Sequence, residues 1–158
     1  MALWAHHVAS VGLAARLLAE EHLTLLLPLR AGTQLPAWLA PACKDDRALL
    51  FGACWRPLAP LLDEHRVLCV SSADRTGHPP AATPAEALAM FPATVPVLHL
   101  PHPADDPAGG PARRATTTVA LHPDGRLTLQ CHGAQNQPYP DPDDYLDHLR
   151  TRYTPSRA

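Results

Sequence analysis

Apolar and polar positions divide the chain into segments of distinct period. Over residues 3–22, Trp4, Val8, Val11, Ala15 and Leu18 recur at helical spacing among alanines and leucines, with Arg16 and Glu20 on a wetter side. This predicts a helix with a broad apolar stripe, packed deeply or used in an interface. Residues 23–29 form a short continuous apolar run that predicts a strand, closed by the proline- and glycine-bearing stretch 28–32. Pro36 and Pro41 bracket Trp38 in a turn or loop, and residues 47–54 read as a buried strand. Pro57 suits a helix start, with Leu58, Leu61 and Leu62 on its inner face. Residues 66–71 carry the clearest buried-strand pattern of the chain.

Thr83-Pro84-Ala85-Glu86 is a helix start with the residues of a capping box, and Pro92 stops that helix after Phe91. Residues 95–100 predict another strand, so 66–100 reads as a right-handed crossover unit. The proline-, glycine- and aspartate-rich stretch 101–114 predicts a flexible loop. Alternation of Thr117, Val119 and Leu121, then of Leu127, Leu129 and Cys131, predicts a hairpin over 115–132 that turns at His122-Pro-Asp-Gly125. Asp141 caps a last helix, Pro142 begins it, and Tyr145, Leu146, Leu149 and Tyr153 form its buried face. Together these elements predict an α/β fold, with α+β as the alternative arrangement. It is a single-domain sandwich over 1–158 whose mixed sheet has about five or six strands, with helices at both ends of the chain.

Composition narrows the functional classes. A chain of 158 residues suits one domain with a proper core, and a formal net charge of -2 offers no basic excess for a dedicated nucleic-acid binder. Isoleucine is absent, lysine and asparagine occur once each (Lys44, Asn136), and prolines number 19. That bias points to a GC-rich genome such as an actinobacterium's, and it empties the arginine preference of chemical meaning. Four cysteines without a Cys-x-x-Cys pair predict reduced thiols rather than a disulfide framework or zinc knuckle. The N-terminal stretch is interrupted by His6, His7 and Arg16 and predicts no targeting signal, and no apolar run is long enough to span a bilayer. A cytoplasmic protein is expected.

Candidate chemistry centres on Cys69-Val-Ser-Ser-Ala-Asp-Arg-Thr-Gly77. A thiolate and a guanidinium at this Cys-x5-Arg spacing can share one oxyanion. The loop resembles the signature of cysteine-dependent phosphatases. That resemblance implies Cys69 as nucleophile, Arg75 as phosphate clamp and Thr76 as a hydroxyl aiding thiolate departure. Leu68 stands where that family usually has histidine, and the loop has no glycine between Cys69 and Arg75. The competing reading makes Cys69 a core residue closing a buried strand, and it is the reading preferred here. His99, His102, Cys131 and His132 offer imidazole and thiolate groups suited to zinc, but no pair has ligand spacing, so no metal or cofactor is expected. Arg16 and His22, six positions apart, resemble an arginine–histidine ribonuclease motif. At about 100° per residue they fall on different helix faces, which removes it. No complete catalytic constellation emerges. The expectation is a non-catalytic binding or accessory protein that meets a protein partner or a second copy of itself through Trp4, Val8, Val11 and Trp38. A phosphatase-like enzyme is the alternative and a metal-binding module the second.

Overall fold

In the computed structural model the apolar run after the first helix becomes the middle strand of five. The structure describes residues 8–52, 58–65, 68–70, 77–78, 81, 83–96 and 114–153, with the side chains of 8–10 and 84 excepted. Helix α1 (Val8–Glu20) leads through His22, whose φ of 55° ends the helix in the left-handed region, into β1 (Thr24–Pro28). A short 3₁₀ turn at Ala40–Ala42 precedes β2 (Cys43–Lys44), which pairs antiparallel with β3 (Arg47–Phe51). The two residues between them, Asp45 and Asp46, have φ of 50° and 56°, the conformation that a two-residue hairpin turn requires. Strand β3 pairs antiparallel with β1, and β1 pairs parallel with β4 (Thr118–Leu121). The predicted hairpin joins β4 to β5 (Leu127–Cys131), and the sheet order is β2-β3-β1-β4-β5. Helix α4 (Pro142–Tyr153) follows. The chain thus has the expected α/β fold: a five-stranded mixed sheet flanked by its N-terminal and C-terminal helices.

The position of β1 explains its composition. Paired on both sides by β3 and β4, it buries Thr24, Leu25 and Leu27 and half-buries Leu26 and Pro28, so it reads as an unbroken apolar run rather than as an alternation. Leu23, Leu25 and Leu27 of β1 and its approach, Val119 and Leu121 of β4, and Leu127 of β5 share one face of the sheet. Onto that face pack Ala14 and Leu17 of α1 and Tyr145, Leu146, Leu149 and Tyr153 of α4, completing the core. The four α4 residues are the ones its sequence period selects.

By internal contacts the chain divides into two compact units, 1–59 with 116–158, and 60–115. The first holds the sheet and its two helices. In the second, α3 (Pro84–Met90) begins with the predicted capping box: Thr83 Oγ1 accepts from the Glu86 N–H at 3.2 Å and the Glu86 carboxylate accepts from the Thr83 N–H at 3.3 Å. Helix α2 (Ala59–Glu64) lies at the boundary between the units.

One expectation fails in the second unit, and another falls mostly outside the described residues. Of the predicted strand 66–71, the described residues 68–70 form neither helix nor strand, and Cys69 and Val70 are exposed, so no buried strand forms there. An apolar run marks a segment as one that can be buried, but it does not by itself make that segment a strand. Residues 95–96 likewise lie outside any strand, while 97–100 and the loop at 101–113 fall outside the described residues. The fifth strand of the sheet is instead β2, a two-residue segment too short to leave a periodic signal.

Candidate functional site

Only some of the sequence-derived positions fall among the described residues. Cys69 is exposed instead of filling the core, which overturns the preferred reading of that residue. Arg75, Thr76, Trp4, His99 and His102 lie outside the described residues, and Val8 opens α1 with its side chain outside them. Val11 on α1 is 44% exposed and Trp38, in the connection from β1 to β2, is 51% exposed. Phe51, at the end of β3, is 45% exposed and was not singled out from the sequence. A terminal strand position leaves no mark in an alternation that treats every apolar residue as inward.

A polar network that sequence reasoning missed sits where the loop after β5 meets the start of β4. Asn136 and Thr117, both buried, are its centre. Asn136 Oδ1 accepts from the Thr117 hydroxyl at 3.1 Å and from the Gly133 N–H at 2.8 Å. The same Thr117 oxygen accepts from the N–H groups of Gln135 and Asn136, each at 3.2 Å. Gln135 bridges two backbone segments: its Oε1 accepts from the Thr117 N–H at 2.7 Å and its Nε2 donates to the His22 carbonyl at 3.1 Å. The network ties the loop, the α1–β1 connection and β4 together. The signal available in the sequence was that the chain's single asparagine lies between two glutamines.

The network also fixes the state of His132. With Oδ1 of Asn136 taken by two donors, its Nδ2 faces His132 Nδ1 at 3.0 Å and must donate to it. The neutral ring therefore carries its proton on Nε2, which leaves that nitrogen no lone pair for a metal. Among the described residues, no group of three or more histidine, cysteine, aspartate or glutamate side chains is placed to hold a metal ion.

A second cluster joins the ends of α1 and α4. The Glu21 carboxylate accepts from the Tyr153 hydroxyl at 2.6 Å and pairs with Arg152 at 3.0 Å. The Arg16 guanidinium lies 4.7 Å over the Tyr153 ring and pairs with Glu20 at 3.1 Å. Burial, then the hydrogen bond to Glu21 and its charge, push the Tyr153 phenol above its ordinary value of 10.0. Burial and then the Glu21 charge push Tyr145 the same way. Burial also raises the Cys43 thiol. These groups stay protonated at neutral pH, so they act as donors and packing surface rather than as bases or nucleophiles.

A raised phenol stabilises the fold in full below the unfolded value near 10.0 and loses that contribution as pH climbs past it. Tyr153→Phe is expected to cost about 2 kcal/mol at pH 7, the scale of a hydrogen bond to a charged group, and to soften the alkaline fall in stability. Tyr145 differs, because its buried hydroxyl has no partner among the described residues. Tyr145→Phe is expected to be neutral or stabilising. Urea unfolding of both variants from pH 7 to pH 11 checks the pair.

No family model, curated protein or solved structure matches the chain. Among the described residues, no helix is long and apolar enough to cross a membrane.

Proposed function

We propose that this chain is a non-catalytic binding or accessory protein of the cytoplasm that engages a protein partner, first of all a second copy of itself, through apolar side chains outside its core. The observation that carries this reading is the exposure of Val11 at 44% and Trp38 at 51%, on the unit that also holds the sheet. Tryptophan is the residue most enriched among interface anchors, and half-exposed aromatic area is what an interface removes from water. Phe51 adds a third such side chain. Size exclusion with light scattering tests the reading. The wild type is expected to run as a dimer, and Trp38→Ala to weaken dimerisation roughly tenfold or more. Val11→Glu is expected to act in the same direction, with both variants keeping wild-type circular dichroism. A monomeric wild type, or a dimer indifferent to both substitutions, ends it.

The exposure of Cys69 favours one second reading, the cysteine-dependent phosphatase in which Cys69 attacks phosphorus while Arg75 and Thr76 serve the phosphate and the leaving thiolate. Hydrolysis of p-nitrophenyl phosphate by the wild type and by Cys69→Ser separates the two. Activity lost in the variant supports the enzyme, and equal rates remove it.

A further inference from the structure

Among the described residues, the sheet order leaves β5 with one side unpaired. An edge strand offers a row of backbone groups to any other strand unless something blunts it. Strand β5 reads Leu127-Thr-Leu-Gln-Cys131, without the charge or proline that commonly does so. The opposite edge, β2, is two residues long and carries Lys44. Protection of β5 has to come from elsewhere.

The hydrogen bonding shows where. Arg126 O accepts from the His122 N–H at 2.9 Å across the hairpin. In an antiparallel ladder the inward-bonded residues alternate, so the backbone groups of Leu127 and Leu129 point away from β4. Side chains hold both outward carbonyls. Arg150 Nη2 donates to Leu127 O at 3.3 Å, and Gln130 Nε2 donates to Leu129 O at 3.4 Å. Arg150 comes from the last turn of α4 and is steadied by an ion pair with Asp147. The register against β4 also shifts here, from Val119↔Leu129 to Thr118↔Cys131, leaving Gln130 as the extra residue of a bulge.

We propose that Arg150 is a guard on the outer edge of β5. It occupies the carbonyl an added strand would need and, with the bulge, keeps the sheet from continuing into a second copy of this chain. The excluded partner follows from the strand itself. Two β5 strands run antiparallel about an axis through Leu129 would set Leu127 against Cys131 and Thr128 against Gln130. Apolar would meet apolar, polar would meet polar, and no charge would oppose the pairing. The β5 edge includes neither Val11 nor Trp38, and the inference stands without that reading.

The test replaces Arg150 by methionine, which keeps helix propensity and side-chain length but has no donor. Mass is measured by light scattering over a concentration series, with Trp38→Ala added in parallel so that association through that surface is counted separately. Arg150→Met is expected to raise the mass roughly twofold over the matching Arg150 protein and to slow amide exchange at Leu127 and Leu129 roughly tenfold. Arg150→Lys, which keeps a cationic donor, is expected to hold the original mass. Adding Gln130→Lys to Arg150→Met is expected to restore it by setting charge along the edge. Arg150→Ala provides an independent version of the donor loss should the methionine variant not fold. A folded donor-less variant at the original mass, or an association that Gln130→Lys leaves intact, overturns the proposal.

Discussion

Gly52→Ala is expected to destabilise the protein by roughly 3 kcal/mol or more, at or above the upper end of ordinary overpacking. A β carbon at Gly52 would lie 2.2 Å from the Leu18 carbonyl oxygen and 2.9 Å from the His22 α carbon. Both obstacles are backbone, so no rotamer change relieves them. One sits in the last turn of α1 and the other at the residue that ends it, while the Gly52 N–H itself bonds to Leu23 O at 2.9 Å. The strand end is therefore fixed between β1 and the helix, and the absence of a side chain is what lets α1 pack this low on the sheet. Gly12→Ala is the control: nothing lies within 4 Å of the added carbon, and within a helix the change is expected to stabilise by up to about 1 kcal/mol. Thermal and urea unfolding of the two variants should move in opposite directions. Equal stability of wild type and Gly52→Ala would mean that α1 does not seat where described.

The second large effect is expected at Asn136. Alanine there removes the acceptor of the Thr117 hydroxyl and the Gly133 N–H, both in buried residues. A stranded buried donor costs about 1–3 kcal/mol, so the pair predicts a loss of roughly 3 kcal/mol. The loop between β5 and α4 would loosen with it, and amide exchange at Gln135 and Asn136 should quicken. His132→Ala removes the same network's outermost member. That ring is exposed and water can replace it, so a change of less than about 1 kcal/mol is expected. A small effect at Asn136 would show that the network decorates the loop rather than holding it.

The parts of the fold legible in the sequence were those whose signal is local. The hairpin appeared because alternation and a Pro-Asp-Gly turn coincide, and α4 because its cap, first proline and buried face agree. The Thr83 capping box formed as its spacing requires. What the sequence concealed was pairing. Residues 66–71 have the apolar content of a strand, but content does not fix pairing or burial, and 68–70 show neither strand nor a buried Cys69 or Val70; β2 was invisible because two residues carry no period. The same limit applied to the chemistry. Cys69 was assigned to the interior from residue type and strand pattern together, and the assignment fell with the strand. The Asn136–Thr117–Gln135 network joins segments far apart in the chain, so no motif spacing announces it.

The parallel seam between β1 and β4 has a consequence for assembly. Thr24 meets Thr118, so the middle of the sheet closes only after the whole 60–115 unit has been synthesised. Until then one flank of β1 is bare on the nascent chain, next to a β3 already able to zip onto the other. The entropy of bridging so wide a gap rises only logarithmically, by about 0.6 kcal/mol per doubling of its length. Lengthening or trimming the intervening segment should therefore change when the sheet seals and how long it stays adhesive, far more than how firmly it holds once sealed.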